Sequence, residues 1–270
     1  GKFIFKLEHH LSQQFIKGYL RLPYSFFSTR NSSELTRNIA YETVGLASSV
    51  ELFLTLLTEL FVLIGIVSLL LYVQTTVAII ALFIFGIAVY YFHFFTEKRI
   101  FNLGQTRQIY EERRLNFLNQ ILGGIKEVKI YNTEAEFIKN YLSTSNKVFK
   151  SEMWMSIINL SPKLWLELIA VFSLTILIFA MILQSDEQIS IIATLALFAA
   201  AAFRLLPSIN RAVNSVQRIK YYLPIINTLH GELRMINNTN INITDQKIDF
   251  SKNLILDKVN FSYSNSKKKI

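Results

Sequence analysis

The feature that most constrains this chain is an apolar stretch, residues 60–96, that contains no Asp, Glu, Lys or Arg. A membrane-spanning helix needs about 20 apolar residues, so this stretch is long enough for two spans. The polar sequence QTT at residues 74–76 divides it near the middle, which predicts a helical hairpin with a very short turn. A second hairpin is predicted at residues 168–203, where only Asp186 and Glu187 carry formal charge. We therefore predict four spans, at about residues 52–73, 77–96, 165–184 and 188–206.

The basic residues predict the orientation, because cytoplasmic flanks of membrane helices carry an excess of Lys and Arg. Both short turns lack them. Residues 97–162, between the hairpins, contain ten: Lys98, Arg99, Arg107, Arg113, Arg114, Lys126, Lys129, Lys139, Lys147 and Lys150. We therefore expect a multi-pass membrane protein whose middle segment and both ends are cytoplasmic. A basic rim beside lipid headgroups accounts for the net charge of +9, so no nucleic-acid partner is expected.

Turn and capping signals predict that these helices extend well beyond the bilayer. Pro23 ends an amphipathic first helix, and Asn31 can cap the helix that leads into the first span. After the second span a helical pattern continues as far as Gly123 and Gly124, and Thr133 can start the next long helix. We assign residues 1–235 to an all-α membrane domain and 236–246 to a polar linker. Val259, Phe261 and Tyr263 alternate with Asn260 and Ser262, a period of two, so residues 247–270 are assigned to the first strands of a truncated soluble domain.

Several of these segments together resemble an ABC exporter half-transporter, whose membrane domain runs into a nucleotide-binding domain. The sequences LPYSFFSTRNSSEL (residues 22–35) and GGIKEVKIYNTEAEF (residues 123–137) look like the two coupling helices of that family, and LILDKVNFSYS (residues 254–264) looks like the start of its ATP-binding domain. The sequences SPKLWLE and FRLLPSINR are similar to bacterial flippases of lipid-linked oligosaccharides. The expected fold is therefore a partial exporter bundle of about four spans, followed by the first β-strands of the ATP-binding domain.

The resemblance also implies roles for individual residues. Tyr263 would stack on adenine, and the coupling residues that dock on the ATPase domain would be Tyr24, Phe26, Phe27, Lys129, Tyr131 and Asn132. The full-length protein would bind ATP and Mg and act as a homodimeric, ATP-dependent translocase in the bacterial inner membrane. This chain contains no G-x-x-x-x-G-K-[ST] phosphate loop, so it cannot hydrolyse ATP alone, and we expect no catalytic residue and no bound cofactor within it.

Counting along the helices from the two short turns places several charged residues at one depth. Arg204, Glu167 and Glu59 each lie ~22 to 26 Å from the outer surface, and Lys163 lies one turn from Glu167. Charges at that depth should face the protein interior or a water-filled cavity. One interpretation is that Arg204 pairs with Glu59 or Glu167, and Lys163 with Glu167, to stabilise the bundle. The other is that these four residues bind an anionic, lipid-linked substrate, for which a guanidinium is well suited. Pro207 would allow a bend beside Arg204.

Three other functions stay open on the sequence alone. An ABC exporter of another amphiphile, such as a lipid, peptide or drug, would have the same architecture. A non-transporting membrane scaffold would lack the phosphate loop in its full-length form. A secondary transporter is disfavoured because the helices extend so far beyond the bilayer. No metal site is expected, since the chain has no Cys, His9 and His10 lie in a charged amphipathic helix, and His93 stands alone among aromatic residues.

Overall fold

A computed structural model of the chain describes residues 2–73, 75–183 and 188–238, and within these ranges the protein is almost entirely helical. The expected all-α bundle is confirmed. The elements in chain order are α1 (Lys2–Leu20), α2 (Tyr24–Thr29), α3 (Ser32–Arg37), a π-helical turn (Asn38–Glu42), α4 (Thr43–Val73), α5 (Thr75–Gly123), α6 (Ile125–Ile130), α7 (Glu134–Leu183) and α8 (Gln188–Asn238). The predicted strands, and all of the linker beyond Asn238, lie outside the described residues.

Four helices are far longer than a bilayer requires. Helices α5, α7 and α8 have 49, 50 and 51 residues, and α4 has 31. At 1.5 Å per residue, the three longest would each measure about 75 Å, against a hydrocarbon thickness of about 30 Å. This confirms that the helices continue well past the predicted spans. Helix α7 continues through Pro162 and α8 through Pro207, so neither proline ends its helix.

By length and composition, two of the described stretches could cross a membrane, Ser32–Tyr72 and Glu134–Ser173. They contain the predicted first span except its last residue, and the start of the third. The predicted spans at 77–96 and 188–206 lie within α5 and α8, and both include side chains that the structure does not describe. Large apolar side chains point outward from the described parts of the predicted spans, as expected for helices surrounded by lipid: Phe53, Phe61, Tyr72, Phe83, Phe94, Phe95, Phe172 and Phe179.

The short helices α2 and α6 lie at the same end of the bundle, which we call the tip. The Asn119 side chain, in the last turns of α5, donates a hydrogen bond to the hydroxyl of Ser33, at the start of α3. The chain therefore enters α3 and leaves α5 at the same level. The predicted N-cap is confirmed, because the Asn31 side chain accepts a hydrogen bond of 3.0 Å from the backbone N–H of Ser33.

The core near the tip is built from α1, α4 and α8. Phe15 and Tyr19 of α1 are buried against Ile225 and Leu229 of α8, with Leu22 completing the cluster. These positions on α1 are four residues apart, so they share one face of the helix. Burial of this face packs α1 firmly against the long helices. The short segment between α1 and α4 therefore starts from a fixed position.

Helices α5 and α8 approach each other closely at Gly104. A Cβ atom at this position would lie 2.0 Å from the backbone carbonyl oxygen of Tyr221. Only glycine allows that approach, because a carbonyl of the facing helix cannot move aside as a flexible side chain can. Beside the contact, Ile100 and Tyr221 pack with Met155 and Ile158 of α7. Three long helices therefore meet at this level.

Candidate functional site

The aromatic residues of α2 point in two directions. Tyr24 is 83% exposed. Phe26 and Phe27 are half-buried and pack against the core cluster of α1 and α8, with the Phe26 ring stacked on Tyr19 at a centroid distance of 6.0 Å. The predicted coupling residues of α2 are therefore not equivalent: Tyr24 is available to another molecule, whereas the two phenylalanines attach α2 to the bundle.

Helix α6 and the turn after it present a second exposed surface. Tyr131 is exposed, and the Lys129 ammonium lies 2.9 Å from the Glu134 carboxylate at the start of α7. Asn132 has a φ of 53°, a left-handed conformation that Asn tolerates better than most residues, and it turns the chain sharply from α6 into α7. All three predicted coupling residues of this segment thus lie at the tip.

Near the tip, a buried ion-pair network joins α3, the π-helical turn and α5. The Glu42 carboxylate is inaccessible to solvent and lies 3.2 Å from Arg107 and 3.4 Å from Arg37. Arg37 also contacts Glu112 of α5 at 2.5 Å. Burial raises the pKa of the Glu42 carboxyl, and the two guanidiniums oppose this shift. A buried carboxylate between two cations holds these elements in one register, because loss of any member leaves a charge without its partner.

A second network connects α2 to α8. Arg30, just after α2, contacts the Glu232 carboxylate at 2.5 Å, and the Tyr19 hydroxyl donates a hydrogen bond to the same carboxylate. The Asn38 side chain in turn donates to the Tyr19 hydroxyl. Neither network was predicted from the sequence. Their signal was present as charged and polar residues at helical spacing, but the partners are separated by up to 213 residues along the chain.

In the membrane region, Glu59 pairs with Arg211. The guanidinium makes two contacts to the Glu59 carboxylate, at 2.5 and 3.1 Å. Of the two partners considered for Arg204, Glu59 is therefore bonded instead to Arg211, seven residues or about two turns further along α8. Arg204 acts on Glu59 only through longer-range attraction, and its side chain is exposed. Counting residues from the predicted turns therefore did not identify the residue of α8 that contacts Glu59.

Lys163 and Glu167 lie on α7 as predicted and form a loose pair. The ammonium and carboxylate are 3.9 Å apart, and the side chains are 62% and 53% exposed. The predicted pairing is therefore present but contributes little, because both groups face outward and the contact is long. Glu59 is buried in the bundle and paired with Arg211, whose side chain is 49% exposed, whereas Lys163, Glu167 and Arg204 lie on the surface. Tyr263, the predicted adenine contact, lies outside the described residues.

Comparisons with known proteins agree with this architecture. A family model of the ABC transporter transmembrane region matches residues 3–206. Among solved structures, a bacterial Atm1-family ABC exporter with ATP bound is similar, with a TM-score of 0.73 and 16% sequence identity. The match covers 100% of this chain but 47% of that exporter, so the chain spans about half of its length. At this identity the likeness concerns the fold, whereas the family match covers most of the chain. This membrane protein therefore belongs to the family of ABC transporter transmembrane regions.

Proposed function

We propose that this chain is the membrane domain of an ATP-driven exporter half that works as a homodimer in the bacterial inner membrane and moves an anionic, lipid-linked oligosaccharide. The observation that carries the substrate class is the exposure of two basic side chains, Lys163 and Arg204, on helices of a membrane domain. A charge in contact with lipid hydrocarbon costs at least ~2.5 to 3.5 kcal/mol. These side chains should therefore face a polar cavity or a second copy of the chain, and not lipid.

Neither cation is neutralised by a close partner within the described residues. Lys163 has only the loose contact to Glu167. Glu59, a carboxylate predicted to lie at the same depth as Arg204, is paired with Arg211. The two cations are thus available to an anion. A phosphate-bearing headgroup fits them, because a guanidinium binds phosphate oxygens in a planar fork and an ammonium acts as a point charge.

ATP and Mg would bind to the soluble domain that the sequence pattern predicts after residue 246, with Tyr263 stacked on adenine. The exposed faces of α2 and α6 are the surfaces on which that domain would dock. The two buried networks support this role. They connect the residues that follow α2 to α1, α5 and α8, and would therefore transmit a displacement of α2 to the long helices.

The substrate proposal is tested by flipping of a fluorescent lipid-linked oligosaccharide in vesicles that contain the full-length protein. We expect Arg204→Ala and Lys163→Ala each to reduce ATP-dependent flipping by roughly tenfold or more, the effect of one lost charge-assisted hydrogen bond. Arg234→Ala and Lys139→Ala are matched controls, since these exposed basic residues lie on the same helices but nearer the tip.

Arg204→Lys separates binding from folding, because it keeps the charge and should retain part of the activity. Unchanged flipping in both alanine variants, or an equal loss in the two controls, would contradict the proposal. If phospholipid flipping responds to the same substitutions while oligosaccharide flipping is absent, the substrate is a different amphiphile and the oligosaccharide proposal is wrong.

A further inference from the structure

Helices α4, α5 and α8 line a partly open cavity of about 580 Å³. Its volume lies within the range of roughly 300 to 1,000 Å³ that is typical of small-molecule sites. The walls are almost entirely aliphatic and aromatic, and they include Leu63, Val67, Phe85, Val89, Ile209 and Val213. Every lining residue from α4 and α5 falls within the predicted spans at 52–73 and 77–96. The cavity therefore lies at membrane depth.

One polar side chain in this wall has no partner. Gln217 lines the cavity and is only 2% exposed, yet neither its amide nitrogen nor its amide oxygen has a hydrogen-bond partner among the described residues. A buried amide without a partner is unfavourable, so such a group in a native protein calls for an explanation. A ligand with a hydrogen-bonding group at this point would satisfy it.

The polar end of the cavity faces the tip. Gln217 is the last lining residue of α8, and His93 is the last of α5, in both cases at the end of the cavity nearer the tip. The order along the cavity is thus hydrocarbon and then an unpartnered amide at the end nearer the tip. A phospholipid of the leaflet nearer the tip has the same order, an acyl chain followed by an ester.

We propose that this cavity holds one acyl chain of a membrane phospholipid, with the Gln217 amide donating a hydrogen bond to the ester carbonyl. Entry from the bilayer is possible at Gly86, which lines the cavity and is exposed. The site is separate from Lys163 and Arg204, so it does not depend on the proposed transport substrate.

The cavity can be filled at Gly86 without disturbing the helices. A Cβ atom added there would have no heavy atom within 4 Å, so Gly86→Leu should occupy the space meant for the acyl chain. Gly65 of α4 is the matched control, because an added Cβ there also meets open space but the residue does not line the cavity. The pair compares the same substitution inside and outside the site.

The probe is a phosphatidylglycerol with a photoreactive diazirine halfway along one acyl chain, added to vesicles of phosphatidylethanolamine and phosphatidylglycerol that contain the full-length protein. We expect peptides of α4, α5 and α8 that line the cavity to be labelled in the unaltered protein and in Gly65→Leu, and the labelling to be lost in Gly86→Leu. Gln217→Leu should weaken labelling by roughly three- to tenfold, the effect of one lost hydrogen bond, while leaving the protein at least as stable.

Equal labelling of the cavity peptides in Gly86→Leu and Gly65→Leu would overturn the proposal. So would a lack of cavity labelling in the unaltered protein, which is the result expected if another protein segment fills the space. Loss of label during ATP turnover would identify the occupant as a transported molecule and not a resident phospholipid, and would also overturn it. Gln217→Leu provides an independent answer if Gly86→Leu fails to fold.

Discussion

At the scale of single residues, Glu42 and Glu152 both face Arg107 but lie in different surroundings. Glu42 is fully buried and sits 3.2 Å from the guanidinium, with Arg37 on its other side. Glu152 is 59% exposed and lies 3.9 Å away. Loss of the buried carboxylate leaves Arg107 with only the distant Glu152 and removes one of the two carboxylate partners of Arg37, whereas water replaces a lost exposed carboxylate.

We therefore expect Glu42→Ala to lower the free energy of unfolding by about 3 to 5 kcal/mol, the usual penalty for breaking a buried pair. Glu152→Ala, the matched control, should lower it by less than about 1 kcal/mol. Denaturant unfolding of the full-length protein in detergent measures both. Equal effects of the two substitutions would show that the buried network does not stabilise the region near the tip.

The sequence predicted that Glu59 lies inside the bundle, but it did not predict which residue pairs with it. Placement of Glu59 inside the bundle followed from the energetic penalty for a charge in hydrocarbon, and the structure agrees. Its partner could not be derived, because the heights of α4 and α8 relative to each other depend on packing over the whole bundle. Contacts such as Gly45 of α4 against Ile225 of α8 set those heights, and they join residues far apart in the chain.

At the scale of elements, α2 combines a docking face with an anchoring face. Tyr24 is exposed, whereas Phe26 stacks on Tyr19 and carries the Arg30 guanidinium over its ring at 5.0 Å. If α2 receives movement from an ATPase domain, the exposed face governs coupling and the anchoring face governs stability.

We expect Tyr24→Ala to reduce the stimulation of ATP hydrolysis by substrate in the full-length protein while leaving its thermal stability unchanged. Phe26→Ala should instead lower the free energy of unfolding by about 1 to 2 kcal/mol, roughly half the value for a fully buried aromatic ring. Substrate-stimulated ATPase rates and thermal melts distinguish the two effects. A drop in stability with Tyr24→Ala would contradict the division of the helix into two faces.

The short elements were predictable where local chemistry decides them. Pro23, the cap at Asn31 and the glycines at 123 and 124 marked the ends of helices, and the structure has breaks at each place. The π-helical turn was missed. Its Ile39 carbonyl accepts a hydrogen bond from the Ser12 hydroxyl of α1, and that partner lies outside any local pattern.

At the scale of the whole molecule, two sets of apolar side chains serve different surroundings. Near the tip, apolar residues of α1 and α8 pack inward as in a soluble protein. Along the predicted spans, large apolar residues point outward, and the charged pair of Glu59 and Arg211 lies between helices. Along the same helices, apolar side chains thus change from facing the core to facing outward, which indicates that the surrounding solvent changes from water to lipid.

The all-α membrane bundle was predictable because long charge-free stretches are a property of composition, whereas the number of spans and their orientation stay predictions. Packing inside the bundle was not, because hydrocarbon and protein interior favour the same side chains. The cavity between α4, α5 and α8 could not be predicted for this reason. In the sequence, its aliphatic lining cannot be distinguished from an ordinary apolar helix face, and Gln217 is one of many polar residues in α8.

The central claim is that these helices cross a membrane with α2 and α6 on its cytoplasmic side. The chain contains no cysteine, so single cysteines can be introduced at exposed positions and labelled without background. In spheroplasts, we expect a membrane-impermeant maleimide to label Tyr72→Cys but not Tyr24→Cys or Ile130→Cys, and the reverse in inverted vesicles. Labelling of Tyr24→Cys or Ile130→Cys in intact spheroplasts would contradict the account.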